Sequence, residues 1–221
     1  MESLLTAHQG HGPDQVADHD HGRHGHQASL EDGLDFVNTL EYDRVPQERL
    51  TDVRTAVTWL QEHELLHRDT ALAIIDDAEA DETRAERLML RIRRVRAALR
   101  ELLDATVEAR PPTTGALRDV NRALRAPYIY ELVPANDGVS LDHRHEGDAI
   151  SGALARLAEA IARELTQSDK DRLRVCANDE CRWVFRDNSP AGRRKWCDMS
   201  TCGNRAKAAR HRERQRALSE A

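Results

Sequence analysis

Cys176-Ala-Asn-Asp-Glu-Cys181 and Cys197-Asp-Met-Ser-Thr-Cys202 hold all four cysteines of this 221-residue chain. Each pair encloses four residues, and fifteen residues separate the pairs. An x4 spacing lets the chain turn back so that two sulfurs meet one ion at about 2.3 Å, and the interval has room for a hairpin that returns the second pair to the first. Soft thiolates select zinc or iron–sulfur over hard cations. The symmetrical pairing and the small module favour zinc, and four protein ligands leave no open position for catalysis. The expectation is one structural Zn2+ held by Cys176, Cys181, Cys197 and Cys202.

The residues between the pairs fill in that module. Arg182-Trp-Val-Phe185 is strand-like, Asp187-Asn-Ser-Pro-Ala-Gly192 is dense in turn formers, and Arg193-Arg-Lys-Trp196 leads back to Cys197 as the returning strand. Trp183, Phe185 and Trp196 are placed to form a small core beneath the ion. Beyond Cys202 the chain is rich in Ala, Arg and Lys, which predicts a helix to about Leu218. Cys202 then sits at the helix N-terminus, where the dipole favours a thiolate. The whole resembles a treble-clef arrangement.

Charge divides the chain in the same place. Arg172 to Arg216 carry thirteen Lys and Arg against five Asp and Glu, a surplus of eight positive charges. The net charge of the chain is −6, so the remainder carries a surplus of fourteen negative charges. A basic terminus on an acidic body points to a polyanion as partner of the terminus alone. The candidate nucleic-acid contacts are Arg193, Arg194, Lys195, Asn204, Arg205, Lys207, Arg210, His211, Arg212 and Arg214. Asn204 has two readings, adenine recognition in a major groove or a cap at the first turn of the helix.

No run of about 18 apolar residues spans a bilayer, and no basic-then-apolar secretory leader opens the chain. A cytoplasmic protein is expected. In that reducing compartment clustered cysteines hold metal rather than form disulfides. Residues 1–28 contain six of the eleven histidines (His8, His11, His19, His21, His24, His26) among too few apolar residues for a core, and read as a disordered tail.

Residues 29–170 read as a mainly helical body. Leu30, Leu34, Val37 and Leu40 recur at helical spacing behind Ser29 and Asp32, a capping pair. Further helices are predicted over about 51–64, around 71–75, from about Asp81 to the stop at Pro111-Pro112, and through Leu117, Val120 and Leu124. Tyr128–Val133 and Val139–Asp142 flank Pro134-Ala-Asn-Asp-Gly138 as a small hairpin. Ile150, Leu154, Leu157, Ile161 and Leu165 mark the last helix, and Ser168–Asp171 a linker to the metal module at 171–221. The body can bury a core of its own, whereas the module needs its metal as a staple.

Trp196-Cys-Asp-Met-Ser-Thr-Cys-Gly-Asn-Arg205, with the basic run after it, resembles the signature of the CGNR zinc-finger family, whose tetrapeptide is Cys202-Gly203-Asn204-Arg205 here. Cys176-Ala-Asn-Asp-Glu-Cys-Arg-Trp-Val-Phe-Arg-Asp187 is similar to the first half of that finger. Gly33-Leu-Asp-Phe-Val-Asn-Thr-Leu40 is similar to the opening of the ABATE domain, which precedes this finger in bacterial proteins described as stress-induced transcription regulators. The resemblance covers about residues 30–215 and implies DNA binding by the finger, with the ABATE portion as a sensing or regulatory part.

Transcriptional regulation by DNA contact is therefore the leading expectation, with a small-molecule effector for the helical body. A homodimer or a second DNA-touching surface on the body is expected if affinity is high, since one small finger makes a limited contact. The alternative is a zinc-stabilised RNA-binding or protein-interaction module. An enzyme is not expected: no phosphate-cradling Gly loop, His-Glu-x-x-His or nucleophile motif occurs, and His63, His67, His143 and His145 read as ordinary surface or helix-end residues.

Overall fold

Seven helices and three two-stranded antiparallel sheets make up the described part of the chain, residues 27–41, 45–135, 138–167 and 171–219 of a computed structural model. The mainly helical class with small hairpins is the one expected. The histidine-rich segment up to residue 26, residues 168–170 of the linker and the turn residues Asn136 and Asp137 lie outside the described residues. Among the described residues no helix is long and apolar enough to cross a membrane.

Helix α1 (Leu30–Asn38) starts in the capping box read from the sequence: Asp32 N–H donates to Ser29 Oγ at 3.1 Å and Ser29 N–H to Asp32 Oδ2 at 2.8 Å. Gly33 is required by packing. A Cβ there would lie 2.8 Å from Cγ1 of the fully buried Ile161, so its absence lets α1 lie directly on α6 (Ala149–Thr166). The short ladder β1 (Leu40–Glu41) with β2 (Gln47–Glu48) follows, then α2 (Val53–Glu62), capped by Asp52.

Helix α3 (Arg68–Ala80) is longer than the short segment expected. Ala71, Ile75 and Ala78 bury one thin stripe while acidic residues take the solvent side, so a weak apolar signal hides a full helix. Asp81 then caps α4 (Glu82–Val107), the 26-residue axis of the body. Its buried stripe includes Met89, Ile92, Val95, Leu99, Leu102 and Leu103, and it touches α1, α2, α3, α5 (Thr114–Ala123) and α6. Ala109 at φ 51 and the prolines after it end the run.

Strands β3 (Tyr128–Ala135) and β4 (Gly138–His145) pair from Tyr128↔His145 to Ala135↔Gly138, which leaves a two-residue turn. The sequence reading assigned Pro134 to the turn; instead it stands in the strand, opposite Val139. A two-stranded ribbon gives every strand a free edge, where a missing N–H is tolerated. Helix α6 closes the core with Ile150, Leu154, Leu157 and Ile161, all nearly inaccessible.

Candidate metal centre and basic helix

The first cysteine pair forms the tip of a hairpin. Strands β5 (Leu173–Val175) and β6 (Val184–Arg186) pair as Leu173↔Arg186 and Val175↔Val184, and Cys176 N–H donates to the Trp183 carbonyl at 2.8 Å. This corrects the expected topology. The partner of the 184–186 strand lies upstream of Cys176, and Arg193–Trp196 is no strand; it joins the knuckle by Ala177 N–H donating to the Lys195 carbonyl at 2.7 Å. The knuckle itself turns tightly, with Cys181 N–H on the Asn178 carbonyl at 2.8 Å and Arg182 at φ 52.

The second pair is set by Asp198. Its Oδ1 accepts from Thr201 N–H at 2.8 Å and opens a π-helical turn, Met199–Gly203, that carries Cys202 into helix α7 (Asn204–Ser219). At Gly203 the Met199 side chain lies close over the turn, with Sδ 2.8 Å from where a Cβ would stand. The expected metal ligands thus converge: the four sulfurs lie within 4.8 Å of one another, with Cys181–Cys197 at 3.6 Å and Cys197–Cys202 at 3.9 Å. A tetrahedron of metal–sulfur bonds near 2.3 Å has edges of about 3.8 Å, so the spacing and the all-sulfur donor set fit one zinc ion.

Burial pushes the Cys181 thiol up to about 11 and raises Cys197 as well, with the neighbouring Cys176 opposing a second negative charge there. Cys202 is lowered: burial works against its thiolate, but the Asn178 amide donates to its sulfur at 3.5 Å. A divalent cation would reverse the repulsion among these groups, which couples binding to the folding of the module.

Trp183, Phe185 and Trp196, the aromatic residues of the finger, are each half-buried, and Trp183 shares a small cleft with Cys181 and Cys202. Val184 is buried in the body, and strand alternation turns its neighbours Trp183 and Phe185 the other way, where both stay half-buried. Arg194 stacks over Phe185 at 5.2 Å and Arg210 over Trp196 at 5.9 Å. Arg194 also donates to the Cys197 carbonyl. The 193–195 cluster therefore splits, with Arg194 built into the finger and Arg193 and Lys195 exposed. Asp187 is buried and holds the loop by accepting from Ser189 and the Arg194 N–H, contacts that keep its carboxyl down at about 2.

On α7, Arg205, Lys207, Arg210, His211, Arg212 and Arg214 are all exposed, and only Ala206 and Ala209 are half-covered. Asn204 Nδ2 donates to the Ser200 carbonyl at 3.0 Å, which makes it a brace to the preceding turn rather than an accepting N-cap.

Three side chains missed in the sequence tie the finger to the body. Asn38 pairs with the backbone of Val184, Arg100 Nη2 donates to the Arg182 carbonyl at 2.8 Å, and Glu164 meets Arg186. Leu173 and Val184 complete the join by entering the body core. His63 is engaged with Asp32 Oδ1 at 2.9 Å and stacked on Trp59.

Residues 172–215 match the CGNR zinc finger, and residues 33–168 match ABATE, described as "Putative stress-induced transcription regulator". The chain belongs to the ABATE family. No curated protein matches it. In this ABATE protein the opening Gly33–Leu40 has a physical meaning: Gly33 admits α6, Phe36 and Val37 fill the core, Asn38 holds the finger, and Thr39 Oγ1 accepts from Arg96 at 2.8 Å. The CGNR tetrapeptide supplies in turn a ligand, a glycine under the Met199 side chain, a brace and an exposed cation.

Proposed function

We propose that this ABATE protein is a zinc-dependent transcription regulator whose finger contacts duplex DNA through α7, with Arg193 and Lys195 as a second grip and the helical body as the regulatory part. One observation carries the reading. Arg205, Lys207, Arg210, Arg212, Arg214 and Arg216 are exposed on a helix with no buried residue, and among the described residues none has a carboxylate partner. Cations on an ordinary surface helix are usually spaced with acids; here Glu213 alone interrupts them between Asn204 and Ser219. Phosphates would supply the missing counter-charge.

Four thiolates around Zn2+ carry a formal charge of about −2, which still leaves the finger positive. The ion contributes shape. It anchors the first turn of α7 to the knuckle, and a helix of this length is marginal in water without such an anchor. The reading includes no catalysis, because four sulfurs complete a tetrahedral sphere.

The test is selection from random duplex DNA with the intact protein beside a Cys176→Ser variant, with zinc content measured on both. Enrichment of a motif by the zinc-loaded protein alone is expected. Equal retention of every sequence reduces the claim to nonspecific binding. Preference for RNA or an acidic protein in direct competition overturns it.

A further inference from the structure

A cleft of about 630 Å3 opens between α4, α5 and α6 at the foot of the β3–β4 hairpin, away from the finger. Its apolar lining includes Ala123, Ala126 and Pro127; Val95 and Leu154, both buried; and Leu90, which is 69% exposed. A bare leucine on the wall of a cleft invites an apolar body of ligand size.

The charges around it are uneven. Asp148 accepts from Arg91 at 2.6 and 2.9 Å, and Asp119 from Arg94 at 2.7 and 2.7 Å, so two lining acids are neutralised in bidentate pairs. Arg122 lies 3.7 Å from the same Asp119. Arg87 and Arg125 also line the cleft and have no carboxylate partner among the described residues. Glu146 is the lining acid outside the pairs, and leaves the balance positive. The Nε of Arg91 is buried without a hydrogen-bond partner.

We propose that this cleft binds a small organic anion, with an apolar ring or chain against Leu90, Val95 and Leu154 and its acidic head held by Arg87 and Arg125, and that occupancy is passed to the finger along α4 and α6. Both helices touch both places. On α4, Arg94 borders the cleft and Arg100 holds Arg182 of the finger, roughly 9 Å further along the axis. On α6, Ser151 borders the cleft and Glu164 holds Arg186, roughly 20 Å along. A ligand that repositions either helix acts on a finger contact made by the same rigid element. The transmission half rests on the regulatory reading above; the binding half stands without it.

The binding half is tested on the full zinc-loaded chain by calorimetric titration with three probes that share one ring system: 1-naphthoate, 1-naphthylmethanol and 1-naphthylmethylamine. The naphthoate is expected to bind once per chain and most tightly. The double substitution Arg87→Gln, Arg125→Gln should weaken it at least tenfold and leave the alcohol unchanged. Leu90→Glu, on an exposed side chain that folding does not need, should weaken naphthoate as well and decides the matter if the double variant melts early. Equal binding of all three probes, no saturable binding, or unchanged naphthoate affinity in a folded variant overturns the site. The transmission half is read from duplex DNA affinity with and without saturating naphthoate. A change of threefold or more supports it and no change refutes it. Absence of DNA binding under every condition sinks the regulator reading while leaving the titration intact.

Discussion

Asn38, the last residue of α1, pairs with Val184 of the finger as a neighbouring strand would: its Nδ2 donates to the Val184 carbonyl at 2.9 Å and its Oδ1 accepts the Val184 N–H at 2.9 Å. A primary amide has the donor and acceptor of a peptide group, so one side chain satisfies both polar groups at the otherwise open edge of β6. Both residues are buried, and the body and the finger share one core through this contact.

Asn38→Ala should therefore destabilise the chain by about 2–3 kcal/mol, because it strands a buried donor and a buried acceptor together. Asn38→Asp should do no better, since a carboxylate oxygen replaces the donor facing the carbonyl. Urea unfolding measures both. A loss under about 0.5 kcal/mol for the alanine variant would show that water takes over the pairing.

Two glycines in helices should respond in opposite directions. Gly33→Ala forces a Cβ against Ile161, which is itself fully buried, and should lower stability by about 1–3 kcal/mol. Gly115→Ala on α5 meets nothing within 4 Å and should raise stability by up to about 1 kcal/mol through helix propensity. Equal effects at the two sites would refute the close approach of α1 and α6.

Arg96 is buried and bonded to Glu48, with Nη1 to Oε1 at 2.7 Å. Burial, the largest single influence, raises the Glu48 carboxyl, but the Arg96 hydrogen bonds and charge, the Leu50 N–H and the Arg93 charge together hold the group below its ordinary 4.5. A depressed folded value means stability that is present above 4.5 and is lost as the pH falls below it. Glu48→Gln should lose about 2–3 kcal/mol at neutral pH by leaving a buried guanidinium without its counter-charge. The gap to the natural protein should narrow below pH 4.5 in denaturant titrations across pH. A constant gap would mean that charge is not the cause.

Zinc removal should act on the finger and spare the body. The body core closes through Phe36, Ile92, Leu99, Leu103 and Leu157 with no cysteine, so a strong chelator should leave most far-ultraviolet helical signal while all four thiols become reactive. Trp183 and Trp196 report the finger by fluorescence. Zinc affinity should fall with pH, because thiols that must ionise to bind the ion compete for protons. Complete loss of helical signal on chelation would show that the body depends on the finger.

Removing single α7 cations should reveal their number in contact with phosphate. If six act together, the logarithm of the DNA affinity falls against the logarithm of salt with a slope of about −5, and Arg212→Ala or Arg214→Ala each reduces its magnitude by about 0.9. An unchanged slope for both variants would place the contact elsewhere.

Helices α1, α4 and α6 and the cysteine cluster were legible because their signals are local. A capping box spans four residues, an apolar stripe repeats each turn, and the x4 spacing brings two sulfurs together whatever surrounds them. Long-range choices were not legible. Arg193–Trp196 and Leu173–Val175 were both available to pair with Val184–Arg186, and the body decided between them by burying Leu173 and Val184 together. That left Phe185 to a guanidinium. Asn38 reads in sequence as the polar end of a helix, and Arg100 and Glu164 as charges on a helix surface. They became the joint between body and finger because the chain returns to them 146, 82 and 22 residues later. The cleft between α4, α5 and α6 arises the same way, from how three separately legible helices cross, since neither spacing nor composition carries the distance between elements. Periodicity and ligand spacing are properties of a few neighbouring residues and are written in the sequence itself; which buried polar group meets which partner is settled only when desolvation forces every donor and acceptor in the assembled core to find one.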